Sequence, residues 1–269
     1  MTGLAAVPDR TLVDRALEYL AAGPRSAAEL ARDVLGLPAA NAVIADRLAA
    51  ALLGADPRVR KLDDGRWAAV AAASASPPLE EVAFAVLDVE TTGTRPSDGD
   101  RVTDVAVVLV QGTRCELVYE SLVNPGMHIP PWITAMTGIS DALVADAPPF
   151  ERIADDLLQV LAGRVFTAHN ARFDWGFIDA EVKRTRGLAL VGTRMCTVRL
   201  ARALLPELPS RGLDALQAHF GIPNQARHRA RGDALATAEL LGRLLEMASE
   251  RNCRTLADVE AMIALGKKR

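Results

Sequence analysis

Five residues of this chain have the types and spacing needed to hold divalent cations beside a proton acceptor. Asp88 and Glu90 close the apolar run 82–87, within Leu87-Asp88-Val89-Glu90-Thr91-Thr92-Gly93. Residues two apart on a strand point to one face, so both carboxylates project together from a strand end. Two anions that close repel, and each raises the other's pKa. A hard divalent cation such as Mg²⁺ removes the conflict through oxygen ligands. Asp-x-Glu alone is common as a pair of solvated loop acids. Its place after an apolar strand and ahead of Thr-Thr-Gly is the unusual part.

Two further polar stretches follow. Ala168-His169-Asn170-Ala171-Arg172-Phe173-Asp174-Trp175 carries Asp174 into the first turn of a helix. An Asp there also suits the helix dipole, with no metal involved. His228-Arg229-Ala230-Arg231-Gly232-Asp233 puts a loop histidine five positions before an Asp that opens a long amphipathic helix. Helix capping explains Asp233 equally well, and a surface position explains a lone loop histidine. The surface account is also the better one for His128 and His219. Each stretch has an ordinary explanation singly. The three in this order do not.

The elements that must position these residues are legible in outline. Small residues and two prolines at 71–79 read as a linker, dividing a segment over 1–70 from a larger one. In the first segment Leu12, Val13, Ala16, Leu17 and Leu20 form a helical stripe that Gly23-Pro24 stops. Ser26 with Glu29 is a capping box for a second helix, and a third spans about 39–53. Asp64-Gly65 between two strand-like runs predicts a hairpin. Three helices and a hairpin resemble a small winged-helix module, whose wing Arg58, Arg60, Lys61 and Arg66 would suit. Basic and acidic residues balance over 1–75, so protein docking or a structural role is as good an account as DNA binding.

The larger segment opens with strands at 82–87, 102–110 and 117–123, close enough for an antiparallel meander. A helix through Ile153, Leu157, Leu158 and Leu161 precedes a strand at 165–168. A helix at 173–186, a strand at 193–197 and helices at 200–205, 213–220 and 233–247 complete it. This order predicts an α/β mixed sheet flanked by helices. A tail over 251–269 reads as one more helix with a basic end.

Composition sets outer limits. The 269 residues, half of them hydrophobic, suffice for a large domain plus a small one. No apolar run reaches the ~18 residues of a membrane span. Met1-Thr2-Gly3-Leu4, with Asp9 close behind, lacks the pattern of a signal peptide. Cys115, Cys196 and Cys253 are odd in number and far apart, which argues against a disulfide framework or a zinc site. Inert thiols in a reducing compartment, the cytoplasm, are the expectation. The net charge of −3 means that any polyanion affinity must come from local patches or bound metal. Arg194, Arg199, Arg202, Arg211, Arg227, Arg229 and Arg231 form one basic stretch, as readily a solvated face as a phosphate site.

Taken together, the three acidic stretches resemble the exonuclease motifs of the DEDDh branch of the DnaQ-like family. The family's Asp, Glu, Asp, Asp and His would be Asp88, Glu90, Asp174, Asp233 and His228. Connecting text agrees. Leu122-Val123-Asn124-Pro125-Gly126, Ile129-Pro130, Thr137-Gly138-Ile139-Ser140 and Asp146-Ala147-Pro148-Pro149-Phe150 resemble the segment between the first two motifs. The likeness covers about 82–247. Asp104, where relatives more often carry Glu, is a mild departure that leaves the five residues untouched.

The resemblance implies an RNase H-like fold over about 81–250, with three antiparallel strands, two parallel ones and helices on both sides. It implies two divalent cations, Mg²⁺ or Mn²⁺, about 3.5–4 Å apart. Asp88 would bridge both, with Glu90 and Asp233 completing one site and Asp174 serving the other. His228 would be the general base, since an imidazole titrates at about pH 6.5. Thr91, Thr92 and Gly93 would lie by the terminal nucleotide, Thr137 and Ile139 by its sugar or base, and Asn170 by the scissile phosphate. Phe173 and Trp175 fit a core better than a stacking platform. The implied activity is 3′→5′ hydrolysis of a nucleic acid with a free 3′ end, releasing nucleoside 5′-monophosphates in proofreading or repair. DNA is favoured, a DNA polymerase or repair complex is a candidate partner, and RNA is the alternative substrate. A non-catalytic winged-helix regulator is the remoter one, and it would be expected to have lost one of the five residues.

Overall fold

The computed structural model describes residues 5–8, 11–21, 23–54, 56, 58–69, 76–224 and 226–265. The chain separates into two compact units, Pro8–Ala75 and Ser76–Arg269 with Met1–Val7. Residues 71–75 of the expected linker and the basic end at 267–269 lie outside the described residues. Among the described residues, no helix is long and apolar enough to cross a membrane.

After a short strand β1 (Ala5–Pro8), the smaller unit holds α1 (Leu12–Leu20), α2 (Ala27–Asp33) and α3 (Ala42–Leu53). Thr11 with Asp14 and Ser26 with Glu29 form capping boxes on the first two, and the Asn41 side chain caps the third. The strands β2 (Val59–Lys61) and β3 (Trp67–Ala69) pair antiparallel around Asp64-Gly65. Gly65 takes a φ of 82°, the left-handed conformation the tight turn requires. Arg25 adds a bridge to Trp67. Ala16, Leu20, Leu30, Val34, Ala49, Leu53, Val59 and Trp67 make the core. Leu12, expected in the inward stripe, is exposed at the start of α1. Three of the four wing cations are answered locally, Arg58 by Asp56, Lys61 by Asp46 and Arg66 by Asp64, and Arg60 is exposed.

The larger unit is built on β4 (Phe84–Thr91), β5 (Val102–Gln111), β6 (Arg114–Leu122), β7 (Val165–Ala168) and, after the short β8 (Leu188–Val191), β9 (Arg194–Cys196). The sheet order is β6-β5-β4-β7-β9, with β8 pairing β1 separately. The first three strands are antiparallel, and β7 and β9 join parallel. Both faces are covered, which is why β5 is buried over nearly its whole length. Phe84, Val86, Ala106, Val108 and Val110 face α8 (Thr197–Leu204), α9 (Leu213–Phe220), α10 (Ala230–Glu250) and α11 (Leu256–Leu265). Ala85, Leu87, Val89, Val105 and Val107 face α6 (Phe150–Leu161) and α7 (Ala171–Arg186). The short α4 (Pro131–Thr137) and α5 (Asp141–Val144), not anticipated, close a small cluster of Ile129, Ile133, Ile139 and Val144. β4 runs four residues beyond the expected strand, so Asp88 and Glu90 lie within it.

Candidate active site

The alternation along β4 decides where its acids point. Phe84 and Val86 face α10, so Asp88 and Glu90, two and four residues on, continue that row. Asp104 is the Cα partner of Glu90 on β5 and shares its face. The register shifts between Glu90 and Thr91, a bulge of the kind found beside active sites. Glu90 and Asp104 are buried, and Asp88 is partly exposed.

Asp174 reaches the same end of the sheet from the first turn of α7. It is 3% exposed, deeper than a solvated helix-dipole residue would sit. Asn170 precedes α7 with φ 73° and ψ 50°, its side chain making no cap bond. Asn tolerates the left-handed region better than most residues, and Asn170 is exposed four residues before Asp174. His169 has Nδ1 2.9 Å from the Thr197 hydroxyl, and the Arg211 backbone also lies within its hydrogen-bonding reach. Burial pulls its pKa down to about 4, so the ring is neutral.

Asp233 and His228 come from the start of α10, which begins at Ala230 rather than at Asp233. The two Asp233 oxygens have separate donors. The Asn224 side-chain N–H bonds Oδ1 at 2.6 Å, and the His228 backbone N–H bonds Oδ2 at 3.1 Å. His228 itself has a φ of 56°, uncommon for a residue with a Cβ. Gly232 lets the loop fold back on the helix, because a Cβ there would collide with the Ala226 carbonyl. Ligand-capable atoms of Glu90, His228 and Asp233 all lie within 4.8 Å of one another.

Burial is the first cause of every shift in this cluster. Asp88 is pushed well up, first by desolvation and then by the charges of Asp174, Glu90, Asp233 and Asp104 in turn. Glu90 rises to about 8 by desolvation and the charges of Asp233, Asp104 and Asp174, with Arg229 opposing. Asp174 also rises to about 8, by desolvation, against backbone hydrogen bonds from its own amide and that of Val89. Asp233 and Asp104 rise too, desolvation exceeding their hydrogen bonds. Buried acids gathered around one of their number form an oxygen-rich site suited to hard divalent cations.

The remaining expected site residues are differently placed. The Thr91 hydroxyl donates to the Gly93 carbonyl at 2.6 Å, and the Thr92 hydroxyl accepts from Arg101 N at 2.9 Å and donates to Met127 Sδ. A Cβ on Gly93 would collide with the Asp100 carboxylate. Thr137 donates to Ile133 O and accepts from Ile139 N, closing its own helix end. Ile139 is fully buried, so it presents no side-chain surface to a ligand. Phe173 packs on Phe177, and Trp175 on Phe166 with Arg194 over its other side. Among the described residues the large exposed aromatic is Trp132 on α4, with Met136 one turn on. Within the arginine stretch Arg211 bonds carbonyls, and Arg227, Arg229 and Arg231 pair with Asp214, Asp104 and Glu120, while Arg194, Arg199 and Arg202 are exposed. Sequence reasoning missed Asn224 and set Asp104 aside. No periodicity could flag a loop Asn, but an acid facing Glu90 across a strand pair was a readable signal.

A mixed sheet of this order, helices on both sides and an acidic cluster at one end define a nuclease domain of RNase H-like fold. The RNase_T family model, described as exonuclease, matches residues 85–241, and the chain belongs to that family. It is 33% identical over 180 residues to the PolC-type DNA polymerase III of Caldanaerobacter subterraneus subsp. tengcongensis, covering 67% of this chain and 13% of that protein. It is 32% identical over 163 residues to the DNA polymerase III subunit epsilon of Aquifex aeolicus, covering 61% of this chain and 80% of that one. The solved structure of exonuclease X in complex with 5′ overhanging duplex DNA matches with a TM-score of 0.55 and 25% identity, covering 67% of this chain and 99% of the other. The chain spans 13, 30 and 27% of the length of the PolC-type protein and two further curated relatives.

Proposed function

We propose that this chain is a divalent-metal-dependent 3′→5′ exonuclease acting on DNA with a free 3′ end. The observation that carries it is the gathering at one sheet end of Asp88 with four buried acids, Glu90, Asp104, Asp174 and Asp233, the Glu90 and Asp233 oxygens lying within 4.8 Å of each other. Such a cluster is poorly tolerated without cations, and its donors are oxygens, as Mg²⁺ or Mn²⁺ prefers. Asp88, Glu90, Asp174 and Asp233 would hold two such ions, which supply charge stabilisation at the attacking and leaving oxygens. The chain's own work is positional. Asn224 and the His228 amide orient the Asp233 carboxylate. The His228 imidazole would accept the proton as the water oxygen attacks phosphorus. The bond to the 3′ oxygen of the preceding nucleotide breaks, leaving a nucleoside 5′-monophosphate. Asn170, exposed four residues before Asp174, would meet the scissile phosphate, and the Thr91–Gly93 turn would back the terminal nucleotide.

DNA is favoured over RNA because the relatives bear DNA polymerase names and the exonuclease X structure holds DNA. The same likeness supports a DNA polymerase or repair complex as partner, with the cytoplasm as the compartment. We assign the 8–75 unit as a winged-helix-like module on its three helices, hairpin and Arg25–Trp67 bridge. With three of its four wing cations paired and its net charge balanced, docking to protein suits it at least as well as docking to DNA.

The test is digestion of 5′-labelled single-stranded DNA, duplex DNA and RNA with Mg²⁺ or Mn²⁺. A shortening ladder from the 3′ end is expected, abolished in Asp88→Ala with circular dichroism unchanged. Equal activity in the variant would overturn the assignment.

A further inference from the structure

Asp104 has no place among the five residues named for the chemistry, yet it is 5% exposed and directly opposite Glu90. Like charges facing each other across a strand pair destabilise it, and a buried carboxylate needs a partner. The partner is Arg229. Its Nε donates to Asp104 Oδ2 at 3.0 Å, and the Ala230 N–H points to the same oxygen at 3.4 Å. Arg229 is the residue next to His228 and stands immediately before α10.

His228 is held in the left-handed region, which costs on the order of 1 kcal/mol or more unless its surroundings enforce it. Two fastenings bracket it. On one side its backbone N–H is bound to Asp233 on α10. On the other, Arg229 is bound to Asp104 on β5, the residue in register with Glu90. The loop's position is thereby referred to the strand pair that carries the acids.

We infer that the Arg229–Asp104 ion pair is a positioning device, setting His228 and Asp233 against Glu90. The inference rests on the exonuclease reading for its kinetic consequence, and on geometry alone for its structural one. Removing either partner frees the loop and leaves the other charge unanswered. A misplacement of about 1 Å in a catalytic group can cost about 10²-fold in rate. A phosphate-binding role for Arg229 would instead weaken substrate binding.

The experiment uses the full chain with Asp104→Asn, Arg229→Gln, Arg229→Lys and the Asp104→Asn/Arg229→Gln double variant. On single-stranded DNA with saturating Mn²⁺, each of the first two should lower kcat roughly 10- to 100-fold with KM within about threefold. The double variant should be no worse than either single one, and Arg229→Lys should recover part of the loss. In the metal-free protein, amide hydrogen exchange should speed up at His228 in both single variants while Val107 in β5 keeps its protection. A rise in KM with kcat intact, additive losses, or unchanged exchange at His228 would each overturn the inference. Wild-type protein without nuclease activity would sink the exonuclease reading, and the exchange result would still decide this one. Asp104→Asn keeps the shape of the side chain, so it serves if Arg229→Gln fails to fold.

Discussion

The Asn224 side chain and Asp233 Oδ1 are joined by a hydrogen bond of 2.6 Å, and Asn224 comes from a loop, not from any element that carries an acid. This bond and the His228 amide use one lone pair on each Asp233 oxygen and leave the others free. Asn224→Ala should therefore keep the ligand but lose its aim. We expect about a tenfold loss of activity and a higher Mn²⁺ concentration for half-maximal rate, read from metal titrations of initial rate. A variant matching wild type in both would remove Asn224 from the site.

The shifted acids set a pH dependence. Glu90 and Asp174 titrate at about 8 in the folded chain, against ordinary values of 4.5 and 3.8. Folded protein thus holds protons that the unfolded chain has released. Their stabilising effect is complete below about pH 4 and is lost as pH rises through about 8. In chelator, the melting temperature should fall by several degrees between about pH 6 and pH 9. Glu90→Gln should flatten that slope, and divalent cation should reverse it. A melting temperature rising over this range would contradict the burial of these carboxylates.

Gly232 offers a backbone test that touches no ligand. Its missing side chain is what lets the Ala226 carbonyl sit against the first turn of α10. Gly232→Ala should push that loop, and His228 with it, away from Glu90. Ala is otherwise the better helix former by about 1 kcal/mol. That gain offsets only part of a backbone collision, so thermal stability should fall, while kcat of the folded fraction drops by an order of magnitude or more. Proportionate loss of both would mean simple unfolding.

Arg101 binds Glu181 on α7 at 2.7 and 3.0 Å through Nε and Nη2, and Pro125 O through Nη1. Glu181 is 1% exposed, so Arg101→Met strands a buried charge. Breaking such a pair costs about 3–5 kcal/mol when both partners are buried. Arg101 keeps some exposure and Arg184 also faces Glu181, so about 2–3 kcal/mol is expected by urea unfolding. The backbone N–H of residue 101 that bonds Thr92 survives the substitution, so activity per folded molecule should change less than stability.

Much of the site was legible because local rules act over few residues. Asp88 and Glu90 share a face by strand alternation, and the capping boxes at Thr11 and Ser26 follow from side chains three residues apart. What was not legible depends on distance along the chain. Asn224 meets Asp233 through a loop whose path is set by packing, and Arg229 meets Asp104 across 125 residues. The burial of Ile139 was not legible for the reverse reason. A motif position says nothing of which way a side chain turns, and α4 turns this one into a four-residue apolar cluster. The extension of β4 past Leu87 came from its pairing with β5 through Asp104, since charged residues would ordinarily end a strand.

The shared row that runs Phe84, Val86, Asp88, Glu90 has an evolutionary corollary. Substitutions along β4 alter one neighbour at a time, and such changes are absorbed by repacking. An inserted or deleted residue between 84 and 88 would exchange the two faces of everything beyond it. Both carboxylates would turn into the apolar layer under α7, and Leu87 and Val89 would line the mouth. Lineages carrying this domain can therefore exchange one apolar residue for another along β4, with Asp88 and Glu90 kept, but its length is frozen.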